Sequence, residues 1–312
     1  MTYFFLVLGI LFLIKGADFL VDGSVTIAKR FNVSNLVIGL TLVAFGTSAP
    51  ELVVNITSSF LGKSNLAIGN ILGSNIANIF LILGVAAIIY PIKPQKKTLF
   101  IEIPFNLFLV ILLFILANNI FTHTPPNLGL IDGIILLVLL ILFLYYAFFT
   151  HKKIKPEGKI ENLSLLKAII LIILGLLGLY FGGRWVVKSA VKLARSLGIS
   201  EELIGLSIVA IGTSLPELVT SVVAAIKKES DIAIGNVVGS NIFNITWILG
   251  LSAIIHPINF DPVSNLSLLI CGLATFLLFL FTLLNKKREI NIISGIFFLL
   301  IYISYMIFVF LK

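Results

Sequence analysis

The chain has 312 residues, is 59% hydrophobic and only 12% charged, and carries a formal net charge of +8 with a mean hydropathy of +1.15. Soluble domains carry about 25% charged residues, and a chain of this size could not hide so much apolar surface from water, so its solvent is lipid. The positive charge is read as basic flanks at the membrane surface rather than as a nucleic-acid footprint.

Apolar windows recur along the whole chain, at roughly 3–25, 36–60, 66–90, 99–118, 129–150, 163–190, 202–226, 232–256, 264–284 and 290–311. Stretches of about 20 residues suit bilayer-spanning helices, and nothing alternates as barrel strands would. The expectation is an all-α polytopic membrane protein with ten transmembrane helices. The first window lacks a basic start and a small-residue cleavage site, and is read as a mature helix rather than a signal peptide. The connection at 151–162, His-Lys-Lys-Ile-Lys-Pro-Glu-Gly-Lys-Ile-Glu-Asn, reads as a polar linker between two halves.

The basic residues are unevenly distributed. Odd-numbered connections hold Lys29, Arg30, Lys93, Lys96, Lys97, Lys152, Lys153, Lys155, Lys159, Lys227, Lys228, Lys286, Lys287 and Arg288, against Lys63, Lys192, Arg195 and Lys312 elsewhere. The positive-inside rule places the odd connections, including the linker, in the cytoplasm and both termini outside a cell membrane.

Two segments repeat at an offset of 166 residues. Gly46-Thr47-Ser48-Ala49-Pro50-Glu51-Leu52 returns as Gly212-Thr213-Ser214-Leu215-Pro216-Glu217-Leu218. Gly69-Asn70-Ile71-Leu72-Gly73-Ser74-Asn75-Ile76-Ala77-Asn78-Ile79 returns as Gly235-Asn236-Val237-Val238-Gly239-Ser240-Asn241-Ile242-Phe243-Asn244-Ile245. About half of positions 38–84 match their partners. The halves are taken as 1–150 and 163–312, with the repeats proper at about 36–92 and 202–258. Five helices per half is odd, so the second half must cross in the opposite sense, the inverted-repeat plan of secondary transporters with a site near the midplane.

Each copy sets a carboxylate beside a helix-breaking proline in an apolar stretch, and intramembrane charge marks function. Pro50 removes a backbone donor and is expected to free carbonyls around Ala44 to Thr47. Thr47 and Glu51, at i and i+4, share one face with the Ser48 hydroxyl close by. The second copy offers Ala210, Thr213, Ser214 and Glu217. Together they supply carboxylate, hydroxyl and carbonyl oxygens, a set for hard cations such as Ca²⁺. Ser74, Asn78, Ser240 and Asn244 lie four apart in pairs on one face and are read as cation lining, the alternative being helix–helix hydrogen bonding. Asn70, Asn75, Asn236 and Asn241 are read alternatively as structural. Asp18 and Asp22 align with Arg184 and Lys188, but inversion puts the pairs at opposite surfaces, so they are expected to snorkel rather than pair. His123, His151 and His256 sit at helix ends, and the lone Cys271 is read as a small core residue.

These motifs resemble the α-repeats of the cation/calcium antiporter superfamily, most closely the prokaryotic sodium/calcium exchangers, over the whole ten-helix plan. The resemblance implies Na⁺-driven Ca²⁺ exchange by alternating access, in which the first and sixth helices slide against a fixed core. It implies calcium ligands at Thr47, Glu51, Thr213 and Glu217, and sodium ligands at Ala44, Ser48, Ser74, Ala210, Ser214 and Ser240 with the glutamates shared. Asn78 and Asn244 would line the centre. Many relatives carry Asp at the position of Asn244, in the potassium-dependent branch in association with K⁺ co-transport, so Asn244 argues against K⁺ dependence. The ions are cargo and no cofactor is expected. The chain is expected to work in the bilayer as a monomer, without nucleic acid. The alternative transport reading is a Ca²⁺/H⁺ (or other cation) antiporter in which the glutamates titrate; a calcium channel and an enzyme fit less well, since the repeat suggests a closed two-sided site and no nucleophile–base set appears.

Overall fold

A computed structural model describes residues 1–121, 125–150, 164–198 and 210–311. Its long helices are α1 (Thr2–Phe31), the bent pair α2 (Asn35–Thr47) and α3 (Ala49–Phe60), α4 (Ser64–Ile89), α5 (Thr98–Ala117), α6 (Leu130–Phe149), α7 (Leu165–Ser196), α8 (Leu215–Ile226), α9 (Ser230–Ile255), α10 (Pro262–Leu284) and α11 (Ile292–Val309). Among the described residues eight helices are long and apolar enough to cross a membrane, or nine when the bent pair counts as one. Of the expected window 202–226, residues 202–209 lie outside the described residues, as do the linker 151–162, His123 and His151. The protein is a helical, multi-pass membrane protein. Two short strands, Asn127–Leu128 and Ile258–Asn259, pair antiparallel in the connections, a detail that apolar windows do not signal.

Burial separates core from periphery. In α4 and α9 78% of the spanning window is buried, against 22–39% in the other six single spans. The difference lies in the residues: α4 and α9 carry Gly, Ser, Asn and Ala, which let helices approach closely and hydrogen-bond across the interface, whereas α6 and α11 present bulky apolar side chains such as Ile141, Phe149 and Ile293 outward, as lipid requires.

The contacts pair elements across the two halves. Helix α1 packs along α7, α5 along α10, α6 against the second half of α9, and α11 against the second half of α4. The α1–α7 contact rests on glycine. A Cβ at Gly16 would stand 2.8 Å from the Gly175 carbonyl oxygen and the Leu179 nitrogen, so any side chain there would force the helices apart. Gly9 and Gly23 repeat this one heptad away on either side, against Gly182 and Ala168.

Helices α1 and α7 have 30 and 32 residues. At 1.5 Å per residue they run about 45 Å, longer than the ~30 Å hydrocarbon core, so they tilt or project beyond it. The apolar windows 3–25 and 163–190 end before the helices do, because the last turns carry Lys29, Arg30 and Arg195. Asn32, with φ 53°, ends α1 in the left-handed conformation, and the Val33 N–H closes on the Ala28 carbonyl. Ser164 begins α7 by accepting from the Lys167 N–H at 3.2 Å.

Candidate cation site

The site begins with two helix breaks. Helices α2 and α3 meet at Ser48 with a bend of 47°. Pro50 cannot donate to the Gly46 carbonyl, which stops α2, and its fixed φ suits the first turn of α3. Glu51 therefore stands in the first turn of a new helix, whose N-terminal dipole favours negative charge. Ser214, Pro216 and Glu217 build the same arrangement between the short turn Ala210–Thr213 and α8. The Ala44 carbonyl already accepts from the Ser48 N–H at 3.0 Å, so the kink leaves it hydrogen-bonded, contrary to the expectation that it is freed.

The two motifs cross-bond. Ser48 Oγ lies 3.0 Å from Glu217 Oε1 and 3.0 Å from Ser240 Oγ. Ser214 Oγ lies 3.3 Å from Glu51 Oε1 and 3.2 Å from Ser74 Oγ, which is itself 3.4 Å from that Glu51 oxygen. Each glutamate thus contacts the serine of the opposite motif. Both carboxylates are 1% exposed, and the second oxygen of each, Oε2, has no hydrogen-bond partner among the described residues. Two buried, unneutralised carboxylates are costly, and a cation between them removes that cost.

Neutral oxygens complete the set. Asn78 and Asn244 are each 1% exposed, and both Oδ1 atoms lack a partner among the described residues. Each asparagine opens a wide π-helical turn, Asn78–Leu83 and Asn244–Leu249, a local irregularity that recurs at functional sites. Thr47 donates to Asn236 Oδ1 at 3.0 Å and Thr213 to Asn70 Oδ1 at 3.2 Å. Asn70 and Asn236 therefore hold the threonines, in keeping with a structural role. Among the described residues no group of three or more His, Cys, Asp or Glu comes together, so any metal bound here is met by two carboxylates and neutral oxygens, not by imidazole or thiolate.

Ser48, Glu51, Ser74, Ser214, Glu217 and Ser240 thus come together around one buried centre. Thr47 and Thr213 stand one turn before the glutamates, Asn78 and Asn244 stand one turn after Ser74 and Ser240, and Ala44 and Ala210 begin the short turns that precede the breaks. Sequence reasoning passed over Asn55 and Ser221. Asn55 Nδ2 donates to the Glu51 carbonyl at 3.1 Å, and Ser221 Oγ accepts from Asn236 Nδ2 at 2.9 Å. They occupy equivalent repeat positions one turn after each glutamate, which was the available signal.

The two ends of the centre differ. A cavity of about 240 Å³, lined by Pro50, Val54, Tyr180, Arg184, Lys188 and Thr213 among others, reaches the motifs along α7. At the opposite end Lys227, just past α8, binds α1: its Nζ is 2.5 Å from Asp18 Oδ1 and 2.6 Å from Asp22 Oδ1. Asp18 and Asp22 are thus ion-paired rather than merely snorkelling. The lysine they share lies 209 and 205 residues away, beyond the reach of a repeat alignment, while Asp18 also stands 3.8 Å from Lys15. Cys271 is fully buried, as expected, and His256 is exposed at its helix end.

Comparison with known proteins agrees with this architecture. The chain is 32% identical to the sodium/calcium exchanger MaX1 of Methanosarcina acetivorans, covering 99% of this chain and 98% of that protein. It is 37% identical to the inner membrane protein YrbG of Escherichia coli over 83% of this chain and 81% of that one. It superimposes on the solved sodium-calcium exchanger NCX_Mj, soaked without Na⁺ and Ca²⁺, with a TM-score of 0.85 and 35% identity over 97% of each chain. The sodium/calcium exchanger protein profile matches residues 1–149 and 167–311. Two crossed Pro-Glu breaks in a polytopic helical membrane protein, matched over nearly its whole length, make this chain a member of the sodium/calcium exchanger family, a family of cation/Ca²⁺ antiporters and not of enzymes.

Proposed function

We propose that the protein exchanges Na⁺ for Ca²⁺ across the cell membrane by alternating access, through one site shared by two inverted five-helix repeats, 1–150 and 163–312. Ca²⁺ is held by Glu51, Glu217, Thr47 and Thr213. Na⁺ is held by the same glutamates with Ser48, Ser74, Ser214, Ser240 and the carbonyls of Ala44 and Ala210, while Asn78 and Asn244 line the centre. The observation that carries this reading is the crossed pair of buried carboxylates, each contacted by the opposite motif's serine and each keeping an unpartnered oxygen. Shared oxygens make the two ion loads compete, and competition is what couples their fluxes.

Charge sets the energetics. Two ionised glutamates give the site a charge of −2, which one Ca²⁺ neutralises and which a load of three Na⁺, as the family resemblance implies, exceeds by one. The cycle is then electrogenic, and an inside-negative potential favours Na⁺ entry and Ca²⁺ exit by about 2.3 kcal/mol per 100 mV. An amide at Asn244, in place of a carboxylate, fits a cycle without K⁺. Both termini face outward, the 151–162 linker is cytoplasmic, and the unit of transport is the monomer.

The test is Ca²⁺ uptake by proteoliposomes loaded with Na⁺. Uptake should require the Na⁺ gradient, respond to membrane potential and ignore K⁺. Ca²⁺ flux driven by a pH gradient without Na⁺ would instead establish Ca²⁺/H⁺ exchange.

A further inference from the structure

Four asparagines form a closed network between α4 and α9, and its directionality can be worked out from the backbone. Asn75 Nδ2 lies 3.3 Å from the Asn241 carbonyl oxygen, and Asn241 Nδ2 lies 3.3 Å from the Asn75 carbonyl oxygen. A backbone carbonyl only accepts, so each of these amides must turn its NH₂ toward the neighbouring helix. That leaves Asn75 Oδ1 to accept from Asn244 Nδ2 at 2.9 Å, and Asn241 Oδ1 to accept from Asn78 Nδ2 at 2.9 Å. Asn78 and Asn244 are then committed as well. Their NH₂ groups are used, and their Oδ1 atoms are buried with no hydrogen-bond partner among the described residues. Asn78 follows Ser74, and Asn244 follows Ser240, by one helical turn, so each amide sits on the face whose serine adjoins the glutamate centre.

We infer that Asn75 and Asn241 are positioning residues that fix the amide polarity of Asn244 and Asn78, so that the transported cation meets two carbonyl-type oxygens and no N–H. This inference rests on the reading of the Glu51–Glu217 centre as the cation site. An unconstrained asparagine can present either end of its amide, and the wrong end repels a cation. The chain of bonds running from two backbone carbonyls removes that choice. All four side chains are at most 1% exposed, so water does not compete for these bonds. Because each orienting residue lies on the helix opposite the one it orients, the polarity of the centre also depends on α4 and α9 keeping their register.

A double-mutant cycle tests this. The readout is the Ca²⁺ concentration giving half-maximal Na⁺-driven uptake by purified, monodisperse protein in proteoliposomes. Asn75→Leu and Asn244→Ala should each raise it about tenfold, the scale of one hydrogen-bond-sized interaction with a charge. The double variant should be no worse than Asn244→Ala alone, since orienting an absent amide has no effect. Asn75→Asp, which keeps the acceptor for Asn244, should recover most of the loss. The cycle Asn241→Leu with Asn78→Ala is its independent counterpart and decides the matter should the first set fail to fold. Additive losses in the double variants, or an unchanged half-saturation in Asn75→Leu, would overturn the inference. Glu51→Gln and Glu217→Gln run alongside: exchange surviving in both removes the site itself, whereas their inactivity together with an additive asparagine cycle removes only the positioning role.

Discussion

The centre of the molecule is nearly symmetric, and its two ends are not. At one end Lys227 ties the α8 terminus to Asp18 and Asp22 on α1. At the other, where the 166-residue offset puts Arg184 and Lys188 in place of the two aspartates and Leu61 in place of Lys227, a cavity opens toward Thr213 and Pro50. Among the described residues no carboxylate pairs with Arg184 or Lys188. The repeat preserved the ion-facing residues and let the flanking charges diverge. On the proposed reading, ion chemistry belongs to the shared motif, whereas the difference between the two ends belongs to residues on which the halves differ.

The comparison can be broken first at its symmetric part. Glu51→Gln and Glu217→Gln should each abolish Ca²⁺ transport in the vesicle assay, because either change leaves a single charge to meet a divalent ion; wild-type exchange in both would show that the centre is not the site. Ser48→Ala and Ser214→Ala remove equivalent hydroxyls, each contacting the opposite glutamate. Each should raise half-saturating Na⁺ about threefold to tenfold, the scale of one hydrogen bond, and a large effect of one with none of the other would deny their equivalence.

The asymmetric part calls for smaller effects. Lys227 and its partners are between 26% and 49% exposed, so solvent screens the pair and a modest energy is expected. Lys227→Met should remove the tie between the α8 terminus and α1 and change the ratio of half-saturating Ca²⁺ at the two membrane faces by about threefold, with the difference shrinking as salt is raised. Burial lowers the Lys227 pKa, but the hydrogen bonds and charges of Asp18 and Asp22 outweigh it and hold the ammonium above its usual range. A cation with a raised folded-state pKa stabilises fully below its unfolded pKa and loses that contribution only as pH climbs past the folded value. The Lys227 effect should therefore be flat between about pH 6 and pH 9. The smallest expected change comes from Leu61→Glu, which offers Arg184 and Lys188 a carboxylate and should shift the same ratio about twofold in the opposite direction.

Much of this was legible in the sequence, and what was not has physical reasons. Glu51 and Glu217 declared themselves because charge beside proline in an apolar run has few structural explanations. The ends of α1 and α7 did not, because a helix that continues past the apolar window is held by packing and caps rather than by hydropathy. The roles of Asn75 and Asn241 were hidden for another reason. They lie one residue from Ser74 and Ser240 in the same repeated run, and only the contact between α4 and α9 shows which end of each amide is engaged. Lys227 was counted among the basic flanks, and its pairing with α1 depends on where α8 ends.

Equilibrium Ca²⁺ binding to the purified protein tests the central claim most directly. The wild type should bind one Ca²⁺ that Na⁺ displaces and K⁺ does not, and Glu51→Gln or Glu217→Gln alone should eliminate it. Undiminished Ca²⁺ binding in both single variants would contradict a site built jointly by the two motifs.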